Sequence, residues 1–157
     1  MKKLSLFLVV IALCFSSTVY AAGTITGSSE LIDENTMRVT YTVTFGADAT
    51  SFADVALDSI TATTGARLRK VGGWWLLRID YNYGATGPTD NSDLYLWLVT
   101  DKSDILGNNG LNVIDNATNN TLYPATVSQP LSGAELIDID NNAVNDATCT
   151  LIFTLYK

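Results

Sequence analysis

The sequence predicts an all-β protein, a single antiparallel β-sandwich or jelly-roll-like domain that follows a cleaved signal peptide. Three observations predict this class. Apolar residues recur at every second position in several segments, clusters of Gly, Asn and Asp separate those segments, and no later stretch has the periodicity of an amphipathic helix. Removal of the first 21 of 157 residues leaves 136, which suits one domain with a substantial core.

The N-terminus has the pattern of a secretory signal. Lys2 and Lys3 precede an apolar run that is too short to span a bilayer, and small residues lead up to Ala21. We therefore predict a signal peptide over residues 1–21, cleavage after Ala21, and export to the periplasm, cell surface or medium. The polar residues 22–35 suggest a flexible arm, and residues 36–157 form the predicted sandwich. No membrane span is expected in the mature chain.

Six segments have the composition of strands. In the clearest, Met37–Phe45, apolar side chains alternate with Arg and Thr, which is typical of a half-buried strand. Asp93–Thr100 is apolar on both faces, as expected for a central strand. The predicted strands are Met37–Phe45, Ala53–Ile60, Trp74–Tyr83, Asp93–Thr100, Glu135–Ile139 and Ala147–Tyr156.

The connection Gly84–Asn91 is predicted to be a hairpin that pairs its two flanking strands in antiparallel fashion. It contains Gly and Asn, which accept turn conformations, and Pro88, which cannot sit inside a central ladder. Because the flanking runs are rich in aromatic and aliphatic residues, we expect Leu77 and Leu96 to belong to the centre of the core. Thr42 is expected on a solvent face.

Charge and cysteine content limit the possible partners. The chain has 9 basic and 16 acidic residues, and loss of Lys2 and Lys3 leaves a net charge of −9. Such a surface repels a phosphate backbone, so a nucleic acid is not an expected partner. Cys149 is the single cysteine after residue 21, and it alternates in phase with Leu151 and Phe153. We therefore predict an inert thiol in the core.

The sequence contains no histidine, which removes Ser-His-Asp and Cys-His catalysis and most zinc sites. Carboxylate pairs could still hydrolyse glycosides. However, the candidates lie on a polar strand face or in turns, where Asp commonly bonds nearby backbone, so we expect no enzyme and no cofactor. Those candidates are Asp80, Asp90, Asp93, Asp101 and Asp104.

Oxygen-donating side chains also lie close together near the C-terminus. They could bind calcium, although the spacing lacks the glycine and glutamate of an EF-hand loop. The preferred interpretation is an Asx-rich hairpin turn, and no metal site is predicted. The residues concerned are Asp138, Asp140, Asn142 and Asp146.

Aromatic residues, among them Tyr95 and Trp97, are concentrated on the two strands that flank Gly84–Asn91, which are expected to be neighbours, and they provide the candidate ligand site. Trp74 and Trp75 are adjacent and must point to opposite faces of a strand, so at least one belongs to the core. Exposed rings among Trp74, Tyr83 and Trp97 could stack against sugar rings, which makes these three the possible ligand-binding residues. The alternative is that most of the aromatics fill the sandwich core.

The order of motifs from Gly73 to Lys157 resembles a group of small phage-encoded virion proteins of all-β type. In this order an apolar strand, a Pro-Thr-Asp-Asn turn, a second apolar strand and an Asp-Ile-Leu-Gly segment precede an Asn/Thr-rich loop and a final strand. The matching pieces include Trp75-Leu76-Leu77, Pro88-Thr89-Asp90-Asn91, Leu94 to Leu98, Asp104-Ile105-Leu106-Gly107, Asn116 to Asn120 and Thr150 to Tyr156. The resemblance implies a small β-sandwich structural subunit without catalytic residues.

Two functions remain open. The first is a non-catalytic, exported structural or assembly subunit that associates with itself or with another structural subunit. The alternative is a secreted carbohydrate-binding module or surface adhesin that uses the Trp/Tyr cluster to bind a glycan. A pilus-type subunit ranks third, because the mature chain lacks a cysteine pair.

Overall fold

The computed structural model describes residues 23–46, 51–125 and 129–157, and it confirms an all-β fold of two sheets around one core. The predicted signal peptide and its cleavage site lie outside the described residues. In the part that is described, no helix combines the length and apolar character needed to cross a membrane. The nine strands are β1 (Thr24–Leu31), β2 (Thr36–Thr44), β3 (Ser51–Ala56), β4 (Thr61–Ala62), β5 (Trp75–Tyr83), β6 (Asp93–Trp97), β7 (Asn120–Leu122), β8 (Leu136–Asp140) and β9 (Thr148–Tyr156).

The larger sheet has six strands in the order β4-β1-β2-β9-β5-β7, and the smaller has three in the order β3-β8-β6. Neighbours pair in antiparallel fashion except β1 and β4, which run parallel over a short stretch. The large sheet is therefore mixed and not purely antiparallel as predicted. Two 3-10 turns, Leu57–Ser59 and Gly107–Gly110, complete the regular structure of the described residues.

Alternating side chains of β2 and β9 build much of the core. Buried and more exposed positions alternate along both strands, as the sequence predicts. Tyr41 packs edge-on against Phe153, with ring centroids 5.1 Å apart. Cys149 lies on the same inward face and is only 1% exposed, which confirms the predicted buried thiol.

The segment predicted to be a flexible arm, residues 22–35, instead contains β1. β1 pairs along its whole length with β2, from Thr24 opposite Thr44 to Leu31 opposite Met37. Its other edge is covered by β4 and by a hydrogen bond from the Ser29 amide to the Arg67 carbonyl. β1 contains few apolar residues, so its place in the sheet is stabilised mainly by backbone hydrogen bonds to the neighbouring strands and not by burial of its side chains.

The predicted hairpin over Gly84–Asn91 is wrong, because β5 and β6 belong to different sheets. β5 lies between β9 and β7, while β6 pairs with β8. The connection leaves the large sheet where the Gly84 amide bonds the Thr148 carbonyl, at a place where a Cβ on Gly84 would overlap Thr148. The connection then contacts the segment that follows β8, where the Thr89 amide donates a hydrogen bond to Asn142 Oδ1 at 2.9 Å.

β6 is an edge strand and not the central strand predicted from its apolar character. Non-strand chain covers its outer edge: the Ile105 amide bonds the Leu96 carbonyl, and the Leu98 amide bonds the Ser103 carbonyl. The carboxylate of Asp104 accepts a further bond from the Leu96 amide, at 2.9 Å. Leu96 itself is 1% exposed, so its predicted place in the core is confirmed.

Leu77 is not a core residue. A β-bulge between Leu76 and Arg78 shifts the register of β5 against β9. As a result, Leu76 is buried and Leu77 is 49% exposed, the reverse of the prediction from strict alternation. Thr42 lies on the exposed face of β2, as expected.

Candidate functional site

The three aromatic residues singled out from the sequence do not form one site. Trp74 is 8% exposed, and the Lys157 ammonium lies 4.8 Å from the centre of its ring. Tyr83 is 43% exposed but lies at the opposite end of β5, roughly 30 Å along the strand at about 3.3 Å per residue. Trp97 belongs to β6 in the other sheet. The prediction that at least one of the adjacent residues Trp74 and Trp75 belongs to the core is confirmed, and the buried residue is Trp74.

Trp97 is held in a defined orientation on the outer face of the small sheet. Its indole Nε1 donates to Asp138 Oδ2 at 2.9 Å, across the β6–β8 pair. One face of its ring stacks on Tyr95, two residues earlier on the same strand, with centroids 4.9 Å apart and planes 16° from parallel. Both rings remain partly exposed. Tyr95 and Asp138 thus restrain the position of the Trp97 ring from two sides.

A cavity of about 310 Å³ opens beside Trp97. Leu136 of β8 lies opposite Trp97 in the strand pairing. The tight turn after β6, closed by a hydrogen bond from the Lys102 amide to the Leu98 carbonyl, forms another side of the cavity and brings the Lys102 side chain to it. The lining, which we call the Trp97 cavity, is mainly apolar with one acidic and one basic group at its rim. It comprises Asp54, Trp97, Leu98, Val99, Lys102 and Leu136.

The electrostatics around Trp97 are predominantly acidic. Burial raises the pKa of the Asp138 carboxyl, the Trp97 hydrogen bond lowers it, and the nearby Asp140 and Asp54 raise it further. Desolvation and neighbouring carboxylates, with Asp93 the largest of them, also raise the pKa of Tyr95. A neutral ligand therefore suits this face better than an anionic one, with Lys102 as the single lining cation.

A second cavity, of about 330 Å³, has three carboxylates in its wall, those of Asp101, Asp104 and Glu135. Glu135 is 1% exposed and accepts bonds from the Ser132 amide, the Ser132 hydroxyl and the Gly133 amide. Asp104 Oδ1 accepts from the amides of Leu96 and Leu106, while burial raises its pKa. Both groups thus hold backbone turns in place.

The other carboxylates considered for glycoside hydrolysis make similar local bonds. Asp90 accepts from the Asn116 amide, Asp93 from the Asn112 amide and Asp101 from the Ser103 amide. Asp80 accepts from the Thr121 hydroxyl and lies 3.1 Å from the Arg78 guanidinium. Asp80, Asp90 and Asp101 thus have the expected strand-face and turn positions, whereas Asp93, which was expected in a turn, is the first residue of β6.

The four oxygen donors near the C-terminus are spread over different structural tasks. Asp138 binds Trp97, and Asn142 accepts from the Thr89 amide. Asp140 ends β8 opposite Asp93 of β6, and Asp146 has a positive φ angle of 53°, as in a tight turn. Among the described residues, no group of three or more Asp, Glu, His or Cys side chains is arranged to hold a metal ion.

Sequence reasoning grouped Tyr95 with Trp97 but missed the role of Asp138. The i, i+2 spacing of the two rings on one strand was a usable signal, whereas the Asp138 partner depends on β8 pairing beside β6. A second aromatic pair, Trp75 and Tyr156, was not predicted either. Their rings lie 6.3 Å apart on the outer face of the large sheet.

Comparisons with known proteins found no match: no family model fits the chain, and neither a curated protein nor a solved structure is similar to it.

Proposed function

We propose that this protein is a non-catalytic, exported binding domain whose ligand is a neutral sugar ring held in the Trp97 cavity. One observation carries the proposal. The Trp97 ring is oriented by Asp138 and Tyr95 and borders a mainly apolar cavity that has polar groups at its rim. Sugar rings combine apolar C–H faces with hydroxyl edges, so they match an aromatic wall flanked by a carboxylate and an ammonium.

The individual side chains have distinct roles in this proposal. Trp97 stacks against the C–H face of the sugar from the wall of the cavity, while Asp54 and Lys102 bond its hydroxyl groups. Asp138 acts as a positioning residue, because it touches Trp97 through Nε1. The acidic surroundings and the net charge disfavour uronic acids and other anionic sugars.

Binding of the mature protein to a panel of neutral oligosaccharides, measured by calorimetry, tests the proposal. We expect Trp97→Ala to weaken binding at least about tenfold, equivalent to about 1.4 kcal/mol. Tyr83→Ala serves as the matched control, because Tyr83 is an exposed aromatic residue of the other sheet. Binding that is unchanged by Trp97→Ala, or absent from the whole panel, would refute the assignment.

The second candidate is the structural or assembly subunit. The resemblance of Gly73 to Lys157 to virion proteins supports it. A specific structural feature also favours it: Trp75, Leu77 and Tyr156 form a partly exposed apolar surface, which we call the Trp75 patch, on the outer side of the large sheet. An exposed apolar surface of this kind is typical of a protein contact.

A further inference from the structure

We propose that the Trp75 patch is the interface through which two copies of this chain associate face to face. The inference rests on the assembly function and is independent of the sugar site, which lies on the other sheet. It combines three features of the described residues: where the exposed apolar side chains lie, how charge is distributed, and which sheet face is open.

The apolar side chains gather at one end of the large sheet. Trp75 and Tyr156 are opposite each other in the β5–β9 pair, and their neighbours Leu76 and Leu155 are buried, so both rings point outward. Leu77 projects from the bulge beside them and is 49% exposed. Next to Tyr156, the β1–β2 turn adds Ile32, which is 47% exposed and whose amide bonds the Thr36 carbonyl.

Charge is distributed unequally between the two ends of the sandwich. All seven Lys and Arg residues beyond the predicted signal peptide lie in the half that contains the Trp75 patch: Arg38, Arg67, Arg69, Lys70, Arg78, Lys102 and Lys157. The loops at the opposite end contain the aspartates Asp90, Asp93, Asp115, Asp140 and Asp146 and no described Lys or Arg.

From this charge distribution we infer both the partner, a second copy of the chain, and the surface through which the two copies make contact. Two acidic ends repel each other, so copies of the predicted mature chain, whose net charge is −9, associate more readily through the end where both signs occur. On the sheet beside the patch, Arg38 lies 3.9 Å from Glu30 and Arg78 lies 3.1 Å from Asp80, while Asp33 and Glu34 lie in the adjacent turn. A two-fold axis through the patch therefore brings together two surfaces that each carry both signs of charge, without the repulsion expected between two acidic ends.

The open sheet face sets the extent of the contact. Stable interfaces bury about 800 Å² per partner, more than three side chains supply when an aromatic residue buries about 150–250 Å². The interface must therefore extend over the hydroxyl rows of β2 and β9, such as Thr36 and Thr154. Because these positions are polar, the association should be weak and concentration-dependent.

Light scattering and sedimentation of the mature protein, at concentrations on the order of 1 µM to 1 mM, test the inference over the range where weak complexes dissociate. We expect the mass to rise from one chain toward two. Leu77→Asp and Tyr156→Ser should each raise the dissociation constant at least about tenfold. Leu111→Asp is the control, since Leu111 is 39% exposed and lies next to Asn112, which bonds Asp93 at the acidic end.

A protein that stays monomeric over the whole range overturns the inference, and so does dimerisation that both patch variants leave unchanged. Dimerisation that only Leu111→Asp disrupts would place the contact at the acidic end and refute the Trp75 patch. Sugar binding measured on Leu77→Asp separates the two proposals. If the unmodified protein does not self-associate while sugar binding persists, the proposed interface is refuted and the sugar-binding proposal is unaffected.

Discussion

The outer faces of the two sheets have different chemistry. On the large sheet, hydroxyl side chains line up across three strands, with Thr24, Thr44 and Thr148 in one row. On the small sheet, the outer face has Tyr95, Trp97 and an acidic residue joined by a stack and a hydrogen bond.

The difference indicates what each face needs from its sequence. Threonine is β-branched and suits an extended, half-exposed strand, so a row of threonines keeps β2 and β9 in place without specific partners. Trp97, in contrast, has two specific partners, because Tyr95 stacks on its ring and Asp138 accepts its indole hydrogen bond. We therefore expect stability to depend on inner faces and binding to depend on the outer face of the small sheet.

The largest effect is expected from truncation on the inner face of the large sheet. Phe153 is fully buried against Tyr41, so Phe153→Ala should lower the free energy of unfolding by about 3–5 kcal/mol. Thr42→Ala, on the outer face, should change it by no more than about 0.5 kcal/mol. Denaturant titration measures both, and equal losses would mean that the two faces do not differ as described.

An intermediate effect sharpens the comparison within β5. Leu76→Ala should cost about 2–5 kcal/mol because it opens a cavity in the core. Leu77→Ala, one residue later, should cost less than about 1 kcal/mol because the side chain is 49% exposed. The same titration, run at low protein concentration, compares them. A greater loss for Leu77→Ala would contradict the bulge between Leu76 and Arg78.

The smallest effect is expected at Cys149, whose native thiol should not react. Burial raises its pKa to about 12, so at pH 8 it is almost entirely the unreactive thiol form. A maleimide should label it only after denaturation. A Thr42→Cys variant, with a thiol on the exposed face, should gain one rapidly labelled site. Rapid labelling of the parent protein would show that this face of β9 opens readily.

Local pattern was reliable where a strand is regular. The alternation in β2 and β9 predicted their buried residues correctly, including Cys149 and Leu151. It failed at Leu77, since a single bulge reverses the side-chain direction on one side of it. β1 was missed because its middle, Gly27-Ser28-Ser29, contains no apolar alternation.

The candidate site was predicted only in part. Trp97 was identified as an aromatic residue available to a ligand, and it borders the cavity. Trp74 and Tyr83 were grouped with it because their strand was expected to lie beside that of Trp97, yet the two strands belong to different sheets, Trp74 is buried and Tyr83 lies at the far end of β5. Asp138 could not be connected to Trp97, since they are 41 residues apart and meet only through the β6–β8 pair.

The sequence by itself determined the all-β class, the approximate positions of six strands and the inward face of the regular ones. Side-chain period and turn composition are local properties, and they are legible in the chain. Only the tertiary structure decided which strands are neighbours. The residues of the connection Gly84–Asn91 are compatible either with a hairpin or with a crossing between the two sheets. The crossing is observed because β5 pairs with β9 and β6 pairs with β8. Strand pairing depends on long-range competition for backbone hydrogen bonds and core space, which no single segment records.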